Sequence, residues 1–353
     1  MTSPADPVIT PDVFIVIMEV YTCVDMVLSL IGIITNAIST MAFLAMGADD
    51  GITVAFLFLS SSEFLCCLAA LGQRLSLAFW VAELATDYTT WFSIDPYVFN
   101  VYFGNIRTGL FTIPVLITMY IAVAKCMCVV KPFVFKNVFF VTRTWWAMVG
   151  ICAISIVTYL PVMATMGVVD QFDLKVNATR QLVWFSRYRD IVQNVVRIGR
   201  DSVPAVSSEI IVIFCVALMS RALSEAVRFR ESFKHVSLQN TQESILTQVS
   251  ARGSARLSGK ELQVIKQVTL ISAVYVVSNT PKIVLFLAIA FVPDLTQGRL
   301  YQNLYEVTVK TKAHAELYMS VVNIFIYYKY NSKFRQSCNL LASKMLDKFQ
   351  VVL

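Results

Sequence analysis

Residues 22–46 read TCVDMVLSLIGIITNAISTMAFLAM, a run of apolar and small side chains with a single charged residue, Asp25. An α-helix of about 20 such residues crosses the ~30 Å hydrocarbon core of a bilayer. In hydrocarbon, every backbone N–H and C=O has to be bonded inside the segment, and a helix achieves this along its length. The run therefore predicts a membrane-spanning helix.

Six more apolar runs of similar length follow along the chain. They cover residues 52–71, 97–124, 144–166, 203–223, 262–292 and 305–328. The composition agrees, because 57% of the residues are hydrophobic and only 15% are charged, against about a quarter in a typical soluble domain. The sequence thus predicts an all-α membrane protein, a bundle of seven transmembrane helices over residues 22–328. The fifth run is the weakest, because Glu209 interrupts it.

The positions of Lys and Arg indicate the orientation of the bundle, because these residues concentrate in cytoplasmic connections. With the N-terminus outside, most of them fall on the inner side, including the connection over residues 224–260. Residues 1–21 are then an extracellular N-terminus, and residues 329–353 form a cytoplasmic amphipathic helix and tail. We expect a multi-pass protein of the plasma membrane with its N-terminus out. The net charge of +6 is too small and too dispersed to indicate a nucleic-acid partner.

Two segments outside the apolar runs carry predictions of their own. Asn177-Ala178-Thr179 is an N-glycosylation sequon in a connection predicted to be extracellular, so Asn177 is a candidate glycosylation site. In the tail, apolar side chains recur at helical intervals with lysines between them. This pattern predicts an amphipathic helix on the inner leaflet, in contact with membrane lipid. Cys338 within it is a candidate for palmitoylation.

The sequence offers no set of residues for catalysis or metal binding. It contains two histidines, His235 and His314, and none of the eight cysteines has zinc-like spacing with them. No nucleophile–base set or phosphate-binding loop is visible. We therefore expect no enzyme activity, no cofactor and no metal.

Four segments, taken in order, resemble the motifs of one receptor family. Residues 32–36 (GIITN) are similar to a GxxxN motif, and residues 59–63 (LSSSE) stand where that family has LAxxD. Residues 278–281 (SNTP), preceded by Tyr275, are similar to a CNTP variant, and residues 323–327 (NIFIY) resemble NPxxY. On these residues, the chain resembles a rhodopsin-like (class A) G-protein-coupled receptor across all seven helices.

The end of the third run narrows this resemblance. Residues 124–133 read AKCMCVVKPF where the family has DRYLAIxxPL, so Ala124 and Lys125 replace the usual acid and arginine. The cysteine after the basic residue and the PF ending are similar to a divergent invertebrate, molluscan-type branch of chemosensory and neuropeptide receptors. The family's outer disulfide has no candidate cysteines here.

The resemblance implies an activation switch that links an outer ligand to a heterotrimeric G protein. Asn36, Glu63 and Asn323 would form a polar cluster at mid-membrane. Lys125 would form an ionic latch with Glu261, at the family's spacing before Pro281. The residues implied in the switch are Asn36, Glu63, Lys125, Glu261, Tyr275, Asn279, Pro281, Asn323 and Tyr327.

Charged residues at membrane depth are costly and mark functional sites. Arg107 lies about five helical turns outward from Lys125, on the same face, at the depth where the resembling family binds ligand. The candidate ligand contacts are Arg107, Arg74, Arg197, Arg200, Lys282 and Glu316. A surplus of cations favours an anionic ligand, such as an acidic peptide or an amino acid. The alternatives are a structural ion pair between Arg107 and Glu316, and arginines that extend to water.

Three functions remain open from the sequence. The first is a receptor for an extracellular small molecule or peptide, a chemosensory cue or a neuropeptide, that signals through a G protein. The second is a decoy or scaffold of the same fold, which couples poorly because lysine lacks the planar guanidinium of arginine. The third is a seven-helix channel or a transporter, against which the sequon, the inner basic residues and the absence of repeats argue.

Overall fold

A computed structural model describes residues 9–130, 139–239, 259–292, 294–295 and 299–352. Helices in this part of the chain are α1 (Pro11–Met46), α2 (Gly51–Ala85), α3 (Pro96–Val130), α4 (Val141–Val157), α5 (Leu160–Met163), α6 (Arg189–Val196), α7 (Val203–Gln239), α8 (Gly259–Phe291), α9 (Gln302–Tyr330) and α10 (Ser332–Val352). Strands β1 (Met166–Asp173) and β2 (Ala178–Phe185) form an antiparallel hairpin. A π-helical turn over Arg197–Ser202 joins α6 to α7.

Six described helical segments are long and apolar enough to cross a membrane. They are Asp12–Met46, Gly51–Ala85, Pro96–Cys128, Val141–Met163, Arg189–Arg221 and Lys266–Phe291. The chain is therefore a multi-pass helical membrane protein. The seventh predicted run lies in α9, which is not among these six; its first half carries Glu306, Lys310, Lys312 and Glu316. This helix nevertheless packs against α1 and α8 as part of the bundle.

The hairpin marks one end of the bundle, which we call the hairpin end. The last turn of α2 and the segment before α3 lie there, because Arg180 of β2 contacts Glu83 and Asp95. At the opposite end, the rings of Phe43, Tyr327 and Phe334 pack with centroids 4.8 to 5.5 Å apart. This aromatic cluster, in which all three rings are fully buried, fixes α10 against α1 and α9.

Several helices extend beyond the apolar runs that predicted them. The first begins at Pro11 instead of residue 22, and the second continues to Ala85 instead of ending near residue 71. Arg74, in the added part of α2, is buried against α1. The polar residues that ended the run in the sequence are therefore tolerated, because they find partners inside the bundle.

The prediction of a purely helical fold missed the hairpin. Its strands pair in register from Met166 opposite Phe185 to Asp173 opposite Ala178. Val168 and Val169 face Val183 and Leu182 across the ladder, and the β-branched valines favour a strand. The sequence predicts a helix only as far as residue 166 and an extracellular connection beyond it, where the structure has the two strands.

The predicted inner connection, residues 224–260, is described only in part. Residues 224–239 continue α7, residue 259 begins α8, and residues 240–258 lie outside the described residues. In the tail, the predicted helix is confirmed as α10. Phe334 of α10 is buried, and Cys338 and Leu341 pack against the bundle.

Candidate functional site

A cavity of about 270 Å³ opens between α2, α3, α8 and α9 in the half of the bundle nearest the hairpin. Its wall carries more basic than acidic side chains. The basic residues are Arg74, Arg107, Arg197, Lys282, Lys310 and Lys312, and the acidic residues are Asp201, Glu306 and Glu316. The formal charge of the wall is thus +3, from six cations and three acids.

Arg107 forms the ion pair that the sequence left as an alternative. Its Nη2 lies 3.2 Å from Glu316 Oε2 and donates to the carbonyl oxygen of Ala313 at 2.8 Å. Both charged side chains are buried, and both line the cavity. Lys312 Nζ approaches the other carboxylate oxygen of Glu316 at 3.7 Å. The pair therefore ties α3 to α9 at the wall where a ligand would enter.

Arg74 is more completely buried than Arg107 and bridges α2 to α1. Its Nη2 is 2.5 Å from Asp25 Oδ2, and the other oxygen of Asp25 contacts His314 Nδ1 at 2.9 Å. The Arg74 side chain is only 1% exposed. Its Nε and Nη1 have no hydrogen-bond partner among the described residues, so part of its hydrogen-bonding capacity is unused.

Lys282 is the least compensated of the buried cations in the cavity wall. Its residue is 5% exposed, and its Nζ lies 5.5 Å from the ring centroid of Phe111 and 5.8 Å from that of Phe286. Within the described part of the chain, no carboxylate lies within ion-pair distance of this ammonium. Cation–π contacts stabilise a desolvated ammonium only partly, so Lys282 retains the capacity to bind an anion.

The two arginines of the π-helical turn have different surroundings. Arg197 is half-buried, lines the cavity and donates to Asn194 Oδ1 at 2.9 Å. Arg200 does not line the cavity: its guanidinium is buried, donates to the carbonyls of Gly109 and Ser155, and pairs with Asp201 at 2.8 Å. Neither the sequence prediction of ligand contact nor the alternative of extension to water describes Arg200, since backbone carbonyls hold it inside the bundle.

The polar cluster expected at mid-membrane assembles around α9. Asn323 Nδ2 donates to Glu63 Oε1 at 2.8 Å, and Asn36 Nδ2 donates to the carbonyl oxygens of Gly32 and Ser320 at 2.9 and 3.1 Å. Asn36, Glu63 and Asn323 are each at most 1% exposed. These contacts join α1 and α2 to α9 in the buried interior of the bundle.

A second polar contact joins α7 to α8 and pairs two of the predicted switch residues, Tyr275 and Asn279, with Ser208 and Glu209, which the sequence analysis did not select as site residues. The hydroxyls of Ser208 and Tyr275 lie 2.6 Å apart, and Asn279 Nδ2 donates to Glu209 Oε2 at 2.9 Å. Asn279 and Tyr275 precede Pro281, which lies inside α8. The available signal for Glu209 and Asp25 was their position as acids inside apolar runs, where a charged group needs a buried partner.

The inner latch is not described completely. Lys125 is half-buried near the end of α3 and forms no ion pair with any described acid. Glu261 belongs to the first turn of α8, and its side chain lies outside the described residues. The latch between Lys125 and Glu261 therefore stays a prediction. Tyr327, the last switch residue, is fully buried in the aromatic cluster.

Arg180 holds the hairpin to the bundle, a role that was not predicted from the sequence. Its guanidinium lies 3.0 Å from Glu83 Oε2, 3.5 Å from Asp95 Oδ2 and 2.7 Å from Asp173 Oδ2. Desolvation acts against the charged forms of Asp173 and Arg180. For Asp173, the ion pair with Arg180 and the hydrogen bond from Lys175 N–H outweigh desolvation, so its pKa is lowered. For Arg180, the hydrogen bond to Glu83 and the nearby carboxylates outweigh desolvation, so its pKa is raised.

The two predicted modification sites lie at opposite ends of the bundle. Asn177 is exposed in the turn of the hairpin, with a positive φ of 52° that asparagine tolerates better than most residues. Cys338 is half-buried on α10, where desolvation raises the pKa of its thiol. The sequon is therefore sterically accessible, whereas the thiol is partly covered by the bundle.

Comparison with known proteins adds no family to this description. The chain matches no protein-family model, and no curated protein matches its sequence. The arrangement of the described side chains is therefore the basis of the functional proposal.

Proposed function

We propose that the chain is a seven-helix receptor of the rhodopsin-like type in the plasma membrane. Its hairpin end and N-terminus face outside, an anionic small molecule or peptide binds in the cavity, and the opposite end engages a heterotrimeric G protein. In this proposal, α9 is the seventh spanning helix. A membrane-spanning position of α9 is compatible with the charge of Glu316, because this side chain faces the bundle interior and is paired there with Arg107.

The observation that carries the proposal is a row of polar side chains along one face of α9. Glu316, Ser320, Asn323 and Tyr327 follow at intervals of three or four residues, which places them one above another on a helix. Glu316 contacts Arg107 at the cavity, and Asn323 contacts Glu63 deeper in the bundle. Tyr327 ends the row in the aromatic cluster that fixes α10. A ligand at one end is thereby linked to the opposite end by a single helix.

This row suggests how binding would bias the bundle. An anion that enters the cavity competes with Glu316 for Arg107 and adds a partner to Lys282. The Arg107–Glu316 contact then loosens, and α9 is free to move relative to α3. A ligand shifts such an equilibrium only by the difference in its affinity for the two arrangements, and a charge-assisted contact formed in one of them supplies that difference.

The topology has independent support in the exposed sequon. Asn177 lies in the turn of the hairpin and is exposed. Glycosylation takes place outside the cytosol, so occupancy at Asn177 places the hairpin end outside. The measurement is the shift in mass after glycosidase treatment, with Asn177→Gln as the control.

The test of the receptor function is calcium release in cells that express the full chain with a promiscuous G protein. The cells are challenged with pooled acidic peptides and amino acids. Lys282→Met removes the uncompensated cation and is expected to abolish the response, whereas Arg187→Gln, at an exposed arginine of the hairpin end, leaves it intact. A response of equal size in Lys282→Met cells would place the ligand elsewhere. Silence of every variant at confirmed surface expression would refute coupling to these ligands.

One observation favours a decoy receptor as the second candidate. Lys125 stands where the resembling family has arginine, and no described acid pairs with it. A lysine offers a point charge instead of a planar fork. If the chain binds ligand without coupling, Lys125→Arg should create a calcium response that the unmodified chain lacks. The same response in both chains would exclude the decoy.

A further inference from the structure

Two lysines of the cavity wall differ from its other cations because they lack a polar partner. Three of the six wall cations lie within ion-pair distance of a carboxylate, and a fourth donates a hydrogen bond to an asparagine. These four are Arg74, Arg107, Lys312 and Arg197. Lys282 and Lys310 form neither an ion pair nor a hydrogen bond with any described residue. The wall therefore leaves two ammonium groups available to a ligand.

Different charges surround these two lysines. The strongest electrostatic influences on Lys282 come from Lys312, Glu316, Asp201 and Arg200. Those on Lys310 come from Arg74, Glu306, Arg107 and Asp25. The two sets have no member in common, so Lys282 and Lys310 mark two separate positively charged positions in one cavity.

The geometry of α9 explains this separation. Residues two positions apart on an α-helix are directed about 200° from each other around its axis, and α9 packs against both α1 and α8. Lys312 accordingly belongs to the surroundings of Lys282 on α8, whereas Lys310 belongs to the charges of α1 and α2. The Arg107–Glu316 pair lies between the two positions, because Glu316 acts on Lys282 and Arg107 acts on Lys310.

The size and the lining of the cavity favour a small ligand. The volume of about 270 Å³ lies just below the range of about 300–1,000 Å³ that is usual for ligand pockets. A short chain of atoms fills such a space, whereas most of a peptide would remain outside it. Apolar side chains also line the wall, including Phe111, Leu285, Phe286, Ile289 and Val309. These side chains suit methylene groups that join two charged ends.

We propose that the ligand is a small dicarboxylate, with one carboxylate on Lys282, the other on Lys310 and a short methylene chain between them. This assignment rests on the proposed function, from which it takes an anionic ligand in this cavity. Glu306, one turn before Lys310 on α9, forms no ion pair with that lysine among the described residues, so the ammonium group keeps its donors for the ligand. A dianion lowers the formal charge of the wall from +3 to +1, and a second charge-assisted contact raises affinity by about tenfold or more.

Thermal unfolding of the purified full chain in detergent tests the assignment, because a ligand that binds only the folded state raises its stability. The probes are linear dicarboxylates from malonate to adipate, each matched with the monocarboxylate of equal carbon number. At least one dicarboxylate should raise the unfolding midpoint equally at a concentration about ten times lower than its matched monocarboxylate requires. Sulfate, which carries both of its charges on one centre, should act like a monocarboxylate. If no dicarboxylate surpassed the monocarboxylates, or if sulfate equalled the best dicarboxylate, the dicarboxylate would be overturned and the anionic site of the proposed function would stand.

Substitution of the second lysine separates the two claims further. Lys310→Met should reduce the advantage of the best dicarboxylate to less than about twofold, while the matched monocarboxylate, bound at Lys282, acts as it does on the unmodified chain. Lys175→Met, at an exposed lysine of the hairpin, should leave the advantage unchanged. An advantage that survives Lys310→Met would also overturn the dicarboxylate. If neither the carboxylates nor sulfate stabilised the unmodified chain, the anionic site itself would be refuted, and the dicarboxylate with it.

Discussion

Two groups of buried charges in the half of the bundle nearest the hairpin differ in how fully their cations are paired. Arg180, 3% exposed, meets carboxylates of Glu83, Asp95 and Asp173 within 3.5 Å. Lys282, 5% exposed, meets no carboxylate at ion-pair distance among the described residues. The first group has more acids than bases, whereas the cavity wall has six bases and three acids.

The difference separates a structural role from a binding role. A buried cation with every donor occupied has no capacity left for a ligand, and its removal leaves buried acids uncompensated. A buried cation without an acid costs free energy in the empty protein. It recovers that cost when an anion binds. Arg180 should therefore matter for folding, and Lys282 for recognition.

The largest expected effect is the loss of Arg180. Arg180→Met leaves three carboxylates close together, one of them fully buried, and should destabilise the fold by roughly 3–5 kcal/mol. The measurements are surface expression and the midpoint of thermal unfolding in detergent. Arg187→Met, at an exposed arginine two residues after β2, should change stability by less than about 0.5 kcal/mol. Equal effects of the two substitutions would mean that Arg180 contributes no more to stability than an exposed arginine does.

Lys282→Met should act in the opposite direction. It replaces an uncompensated buried ammonium with an apolar side chain of similar length, so thermal stability should stay equal or rise by about 1 kcal/mol. Millimolar glutamate or citrate should stabilise the unmodified protein, because a ligand that binds only the folded state raises its stability. The same anions should have no effect on Lys282→Met. A loss of stability in this variant would indicate that Lys282 has a structural partner, and Lys282 would then not differ from Arg180 in role.

Arg107 lies between these extremes, since it has a partner and also faces the cavity. Arg107→Met leaves Glu316 without its closest cation and should cost about 2–3 kcal/mol, and Arg107→Met/Glu316→Gln should recover part of that loss. A double-mutant cycle of thermal unfolding measures the interaction, for which we expect about 1–3 kcal/mol. Additive losses would mean that the two side chains do not act as a pair in the folded protein.

The sequence predicted those features that depend on local pattern. Long apolar runs predicted helices, because a helix is the only way to satisfy the backbone of an isolated segment in lipid. The contact between Arg107 and Glu316 was foreseen as an alternative, since opposite charges at one depth of a membrane bundle tend to pair. Helical spacing likewise places the polar residues from Glu316 to Tyr327 on one face of α9.

Features that depend on distant pairing were not predictable in this way. Arg180 and Glu83 are separated by 97 positions, and Arg74 and Asp25 by 49, so neither pattern nor spacing connects them. The end of α2 was unpredictable for the same reason. The polar residues around Arg74 ended the apolar run in the sequence, yet the helix continues because Asp25 neutralises the charge of Arg74 inside the bundle. Arg200 was expected at the ligand, but the π-helical turn directs it to backbone carbonyls instead.

The smallest expected effect concerns the acid dependence of the Arg180 group. The pKa of Asp173 lies below its ordinary value of 3.8, so the unfolded chain takes up this proton first as the pH falls. The stabilisation from Asp173 is therefore complete at neutral pH and is lost as the pH falls from about the ordinary value through the lowered one. Its size should be at most about 1 kcal/mol, because the carboxylate of Asp173 is the partly exposed member of the pair.

Asp173→Asn tests this dependence against a matched change on the same strand. At neutral pH, Asp173→Asn should lose the small stabilisation, and between pH 5 and about 3 it should lose less further stability than the unmodified chain does. Asp170, exposed on β1 and in no ion pair among the described residues, provides the control: Asp170→Asn should follow the unmodified chain at each pH. The fluorescence of Trp184, on β2 opposite Gly167, reports the hairpin directly. Because Glu83 remains paired with Arg180 in both variants, a complete loss of the hairpin in Asp173→Asn would mean that Asp173, and not the buried Glu83, is the principal partner of Arg180.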